Sequence, residues 1–297
     1  MSDPTFPDIL VFAIPAFVIL VAAEYFWLRK RRPDLGFGGK DGLTSMAMGL
    51  GMTVSDIIMG SVSLGILFFF WQFRFFDLGY SLPIIIIAFV IGDFKYYWKH
   101  RFFHRMRWWW MSHNVHHSSE HYNLTTALRQ PWTNHIGAHA VMGIPMVLAG
   151  FHPLLIAFVG ALNLLYQFWI HTELIDKMPK WFEAIMNTPS HHRVHHGRNP
   201  QYLDSNYAGT FIIWDRLFGT FVPEDKNDPV DYGLVTPMTT YNPIKVAFIE
   251  LWSIIRDATQ PGITASQRFK YIFAPPGYSH DGSRKTSKQI KAEAGLS

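Results

Sequence analysis

The 297-residue sequence contains no cysteine, and only 16% of it is charged, against about 25% in an ordinary soluble domain. Without cysteine there is no disulfide and no thiolate ligand, so any metal must be held by nitrogen or oxygen. The scarcity of charge, beside 49% hydrophobic and 16% aromatic residues, points to a membrane. Acidic residues are the scarcer sign, 22 against 26 basic, for a net charge of +4. A basic balance can serve nucleic acid. Here, however, the basic residues sit beside apolar runs, in LRKRRPD (28–34) and KYYWKHRFFHRMR (95–107), which is a juxtamembrane arrangement. Single-stranded nucleic acid, which also favours interleaved basic and aromatic residues, is the weaker reading, and no nucleic-acid partner is expected.

The first long run, Ile9 to Leu28, is about 20 residues with one charge, Glu24, enough to cross a bilayer. Its basic cluster follows the run, the reverse of a cleaved signal peptide. Further runs cover Leu43 to Trp71, Tyr80 to Trp98 and Ile136 to Ile170, the last long enough to cross twice with a turn at Phe151–Pro153. The expected fold is an all-α integral membrane protein with about five transmembrane helices, or four if one is re-entrant, and a cytosol-facing helical cap. Residues 1–98 are expected to hold the N-terminal membrane helices. Residues 99–260 then form a catalytic domain with a membrane hairpin at 136–171, and 261–297 a polar tail, without fixed structure from Ser279 on. Arg29, Lys30, Arg31 and Arg32 belong on the cytoplasmic side by the positive-inside rule, and counting crossings from there puts every histidine cluster on that same face.

Nine of the 15 histidines fall into a pattern: His100 and His104; His113, His116 and His117; His171; and His192, His195 and His196. Two HxxHH motifs in one chain exceed chance at this histidine content. Positions i, i+3 and i+4 share one helical face about 5–6 Å apart, so each motif aims two or three imidazoles at a common point. Eight or nine such ligands suffice for two metal ions, and imidazole suits iron, zinc, copper and nickel alike. His135, His139, His152 and His280 stand apart, and His121 adjoins the second motif. Asp93 shares a stripe with Tyr97, His100 and His104 at offsets 0, 4, 7 and 11, and is expected to accept a hydrogen bond from a ligating histidine, with pairing to Lys95 or Lys99 as the alternative. His191 points about 100° away from His192 around a helix and is assigned an outer, supporting role. Asn206, Tyr207 and Asp215 are candidates for the same role or for substrate contact. The aromatic run at 107–111 is read as an interfacial belt, and Trp214 to Phe221 as a cap over the site. A histidine-rich metal carrier is the alternative outside enzymes, but a carrier would spread its ligands over several depths.

The HxxxH and HxxHH motifs on one face of a hydrophobic chain resemble the fatty acid hydroxylase and sterol desaturase superfamily. HHSSEHYNLTTALRQ (116–130), NLLYQFWIHTELI (163–175), NTPSHHRVHHGRNPQYLDSNYAGTFIIWDRLFGTF (187–221) and YGLVTPMTTYNPIKVAF (232–248) resemble its glyceryl-ether monooxygenase branch. The resemblance implies a di-iron centre that uses O2 to hydroxylate the carbon beside an ether oxygen, giving glycerol and a fatty aldehyde, with tetrahydrobiopterin supplying electrons. It implies His100, His104, His113, His116, His117, His192, His195 and His196 as ligands and His171 as a ninth. A fatty-acyl or sterol hydroxylase or desaturase is the alternative within the superfamily. Arg105 departs from the pattern, which implies a glutamate there.

Overall fold

A computed structural model describes residues 5–33, 35–137 and 139–296. Among the described residues the chain is helical, and its extended pairings are two isolated bridges, Met186 with Phe211 and Gly197 with Tyr232. Helix α1 (Ile9–Arg31) starts at Asp8, whose carboxylate accepts from Val11 N at 3.2 Å, and ends in Arg29, Lys30 and Arg31, placed to favour the negative end of the helix dipole. Helix α2 (Gly39–Trp71) runs for 33 residues. Both are long and apolar enough to cross a membrane. Within α1 only Glu24 and Leu28 are buried, so most apolar side chains of this helix face outward, as a lipid surrounding requires, while Phe17 stacks on Phe168.

The other expected crossings are less regular. Helix α3 (Leu82–Arg105) is apolar to Ile91, then carries Asp93, Lys95, Lys99 and Arg101. The expected hairpin breaks into a 3-10 turn (His139–Gly143), α6 (Ile144–Leu148) and α7 (Pro153–Phe168). With 16 residues, α7 spans about 24 Å, short of a hydrocarbon core of about 30 Å. Among the described residues two helices, rather than four or five, meet the length and apolarity of a span by themselves. Leu67 of α2, Ala88 of α3, Met146 and Val147 of α6, and Leu155, Ile156 and Val159 of α7 form one apolar core at this end.

One extended residue, Met106, separates α3 from α4 (Arg107–His117), so the chain reverses sharply and lays the last turns of α3 against α4. The short α5 (Leu124–Ala127) follows, capped by Asn123. Beyond α7 come α8 (Lys180–Ile185), α9 (Pro189–His195) and α10 (Ile213–Leu217). Helices α11 (Pro243–Thr259) and α12 (Ala265–Phe273) then pack back on α4. The stretch from His280 to Leu296 has defined structure, contrary to expectation. It forms α13 (Ser287–Glu293), where Thr286 and Gln289 satisfy each other's backbone N–H in a capping box, and Arg284 pairs with Asp257 at 2.7 Å.

Arg107, 2% exposed, fastens α11 and α12 to α4 through Glu250 (2.6 Å), Asp257 (2.8 Å), Ser253 (2.9 Å) and the Tyr271 carbonyl (3.3 Å). Arg107→Ala leaves the Glu250 carboxylate without its cation, while Asp257 keeps Arg284, at an expected cost of about 3 kcal/mol. A thermal unfolding curve in detergent identical to the parent's would contradict this role.

Candidate metal centre

The reversal at Met106 brings two motifs together. His100 and His104 lie on the buried stripe of α3 that also carries Asp93 and Tyr97, and α4 presents His113, His116 and His117 to them. His171 follows the end of α7. Helix α9, opened by Pro189 at its first position, brings His192 and His195, with His196 as its C-cap. All nine imidazoles are buried and fall into two groups. His100, His104, His113, His117 and His195 form one; His116, His171, His192 and His196 form the other, with ligand atoms inside each group within 4.8 Å of one another.

Outer hydrogen bonds orient these rings. His100 Nδ1 donates to the Tyr207 carbonyl at 2.8 Å, His195 Nδ1 to the Ser205 carbonyl at 2.9 Å, and His171 Nδ1 to the Gln167 carbonyl at 2.7 Å. A carbonyl only accepts, so each of these Nδ1 atoms carries the proton and each Nε2 keeps a lone pair. The Nε2 atoms converge: His100 and His113 at 2.7 Å, His113 and His117 at 3.1 Å, His116 and His171 at 3.1 Å, His171 and His192 at 3.0 Å. Burial, reinforced by neighbouring imidazoles, pushes His113, His116, His117, His192, His195 and His196 well below the ordinary imidazole value, and burial takes His171 to about 4. The rings are therefore neutral, the state metal ligation requires.

The donor set fits a metal. Nε2 of His104, His195 and His196 is buried with no hydrogen-bond partner among the described residues, and burying unpaired polar nitrogen is costly unless something binds it. Nitrogen ligands alone suit iron, zinc, copper or nickel.

Buried arginines hold the histidine helices from outside. Arg129 reaches the Val115 carbonyl (3.2 Å), Ser118 (2.8 Å) and Asp41 (2.9 Å), fixing the end of α4. Arg193, between His192 and His195, forks onto Glu224 with two bonds of 2.7 Å. Trp110, read as part of an interfacial belt, turns its ring against His104 at 5.0 Å and His117 at 5.6 Å.

Several assigned supports act differently from expectation. Asp93 accepts no bond from a histidine and pairs with neither Lys95 nor Lys99. Its carboxylate takes Thr210 N (2.7 Å), Phe211 N (3.1 Å), Trp214 Nε1 (2.8 Å) and Asn163 Nδ2, because the segment after residue 209 lies across α3 at that level. That segment packs on α3 beside the histidines, with Phe218 stacked on Tyr97. His191 belongs to neither group: its ring meets Phe221 edge-on, its Nδ1 has no hydrogen-bond partner among the described residues, and its carbonyl accepts from Asn206 Nδ2. Asn206 also bonds Val222 through its side chain. Asp215, pushed up by burial to about 6 against the pull of its donors, accepts from Thr220, Tyr207 N and Ala208 N. It thereby holds the residue whose carbonyl receives His100. The sequence reading missed Asp204, whose Oδ1 lies 3.5 Å from His104 Nδ1 and Oδ2 3.7 Å from Arg105. No periodicity marks it. His121, His135, His139, His152 and His280 lie outside both groups.

A family model described as fatty acid hydroxylase matches residues 85–220, the stretch that carries all nine histidines. In this segment the chain is similar to the fatty acid hydroxylase family. The chain is also 41% identical over 277 residues to an alkylglycerol monooxygenase of Homo sapiens, covering 92% of this chain and 60% of that protein. For proteins of the same description from Xenopus tropicalis and Danio rerio the identities are 41% over 279 residues and 43% over 246, with 60% and 52% of those proteins covered. The chain thus spans little more than half the length of these relatives. No solved structure matches it.

Proposed function

We propose that the chain is a membrane di-iron monooxygenase that uses O2 to hydroxylate a lipid C–H bond, and that its substrate is an alkylglycerol, cleaved at the ether bond to fatty aldehyde and glycerol. The observation that carries this is the pair of buried imidazole groups inside a fatty acid hydroxylase segment of a chain similar to alkylglycerol monooxygenases. Iron bound by these groups would supply O2 activation, which no side chain of the protein provides alone. His100, His104, His113, His117 and His195 would hold one ion; His116, His171, His192 and His196 would hold the other. The Tyr207, Ser205 and Gln167 carbonyls keep His100, His195 and His171 in the ligating tautomer. Trp110 and the close packing of α3, α4 and α9 keep bulk water from the nitrogens.

In this reading α1, α2, α3 and the α6–α7 hairpin make four to five crossings. Arg29 to Arg32 and the histidines face the cytoplasm, in a bacterial inner membrane or the endoplasmic reticulum. Residues 99–260 form the catalytic portion, between the N-terminal helices and the polar tail. A lipid tail then enters from the bilayer, and a reduced pterin such as tetrahydrobiopterin supplies electrons from the aqueous side. Membranes containing the protein, given an alkylglycerol, O2 and reduced pterin, are expected to release fatty aldehyde. Hydroxylated acyl or sterol product from a lipid panel, with no aldehyde, would contradict the ether-lipid assignment.

A further inference from the structure

Four consecutive residues, 204–207, serve three of the five imidazoles in the first group. Asp204 Oδ1 lies 3.5 Å from His104 Nδ1, the Ser205 carbonyl accepts from His195 Nδ1 at 2.9 Å, and the Tyr207 carbonyl accepts from His100 Nδ1 at 2.8 Å. The turn that presents these acceptors is strained. Asp204 and Asn206 have φ of 54° and 53°, a left-handed conformation that residues other than glycine keep only when their surroundings enforce it. The enforcement is visible: Asn206 N donates to the Thr220 carbonyl at 3.0 Å, its side chain bonds Val222, and Asp215 takes the N–H groups of Tyr207 and Ala208.

The second group has no such cradle. His171 Nδ1 meets the Gln167 carbonyl and the Arg129 backbone lies beside His116, but Nδ1 of His192 is buried without a hydrogen-bond partner among the described residues. Charge is distributed just as unevenly. Two divalent ions held by neutral imidazoles are left uncompensated by their ligands, and among the described residues Asp204 is the one carboxylate paired with any of the nine. Arg105 approaches from the solvent side with its side chain 43% exposed and leaves Oδ1 turned to His104.

We propose that Asp204 is a positioning residue whose carboxylate, through His104, tightens metal binding at the five-histidine site, so that the two sites are unequal and the four-histidine site releases its metal first. This rests on reading the two histidine groups as a dinuclear metal centre. Carboxylates that orient a ligating histidine change metal affinity by about 10–100-fold when removed.

The test is metal release from the full-length protein in detergent, by metal analysis after timed exposure to a chelator, with the visible spectrum of the cobalt-loaded protein as a second readout. Wild type is expected to release its metal in two phases, and His171→Ala to remove the fast one. Asp204→Asn keeps the size and tolerates the left-handed backbone, and Asp204→Gly relieves the strain. Both are expected to speed the slow phase by about 10–100-fold and alter the cobalt spectrum, with the fast phase unchanged. If wild type releases two metals and both variants match it in rate and spectrum, the assignment of Asp204 is wrong while the dinuclear reading stands. A wild-type protein that takes up no metal under reconstitution overturns both.

Discussion

His195→Ala is expected to hold one metal per chain where the parent holds two, to form no detectable aldehyde, and to insert into membranes as before. The imidazole of His195 sits centrally in the first group, its ring 4.3 Å from that of His100, 4.6 Å from His117 and 4.9 Å from His104, so its loss opens the side that α9 closes. The truncation also strips the Ser205 carbonyl of its partner. The two helices long and apolar enough to cross a membrane, α1 and α2, carry none of the nine histidines, so insertion is expected to survive the substitution. Metal analysis, the aldehyde assay and membrane fractionation of the same preparation check the three statements. Full metal content in an inactive variant would separate His195 from ligation.

The second large effect is expected at Asp93, which touches no imidazole. Asp93 is 0% exposed and accepts from four donors, so Asp93→Asn turns an amide NH2 against at least two groups that can only donate. Two orphaned donors cost roughly 2–6 kcal/mol, a large part of the about 5–15 kcal/mol that holds a typical domain together. The loss propagates to the site, because the segment pinned by Asp93 leads into Asp215 and so to the Tyr207 carbonyl beneath His100. Thermal unfolding in detergent is expected to show a strongly lowered midpoint together with reduced metal retention. A parent-like midpoint would mean that the four bonds contribute little.

The two cases also show which parts of the protein are legible in its sequence. Eight of the nine histidines are readable because a ligand set built on helices repeats at i, i+3 and i+4, and all nine, His171 included, meet in the two groups. Helices α1 and α2 are readable because a lipid-facing helix must stay apolar over its length. The interrupted region around 136–170 is not, because Gly143, Pro145, Gly150 and Pro153 divide one hydrophobic run into short pieces that only packing against α2 and α3 puts in place. Outer-sphere groups escape for a different reason. Asp93 shares the histidine stripe, which invites the inference that it serves a histidine, yet its partners lie 70 to 121 positions away on segments that no spacing predicts. Asp204 lies in an irregular turn whose left-handed backbone is set by tertiary bonds, so a carboxylate that pairs with a site histidine carries no mark in the sequence.

A dinuclear site built from histidine alone fixes how much metal the protein carries. Protein purified from iron-supplemented cells, measured by elemental analysis against an independently determined protein concentration, is expected to contain close to two metal ions per chain, with iron the metal that supports activity. One ion or none in fully active protein would contradict the account.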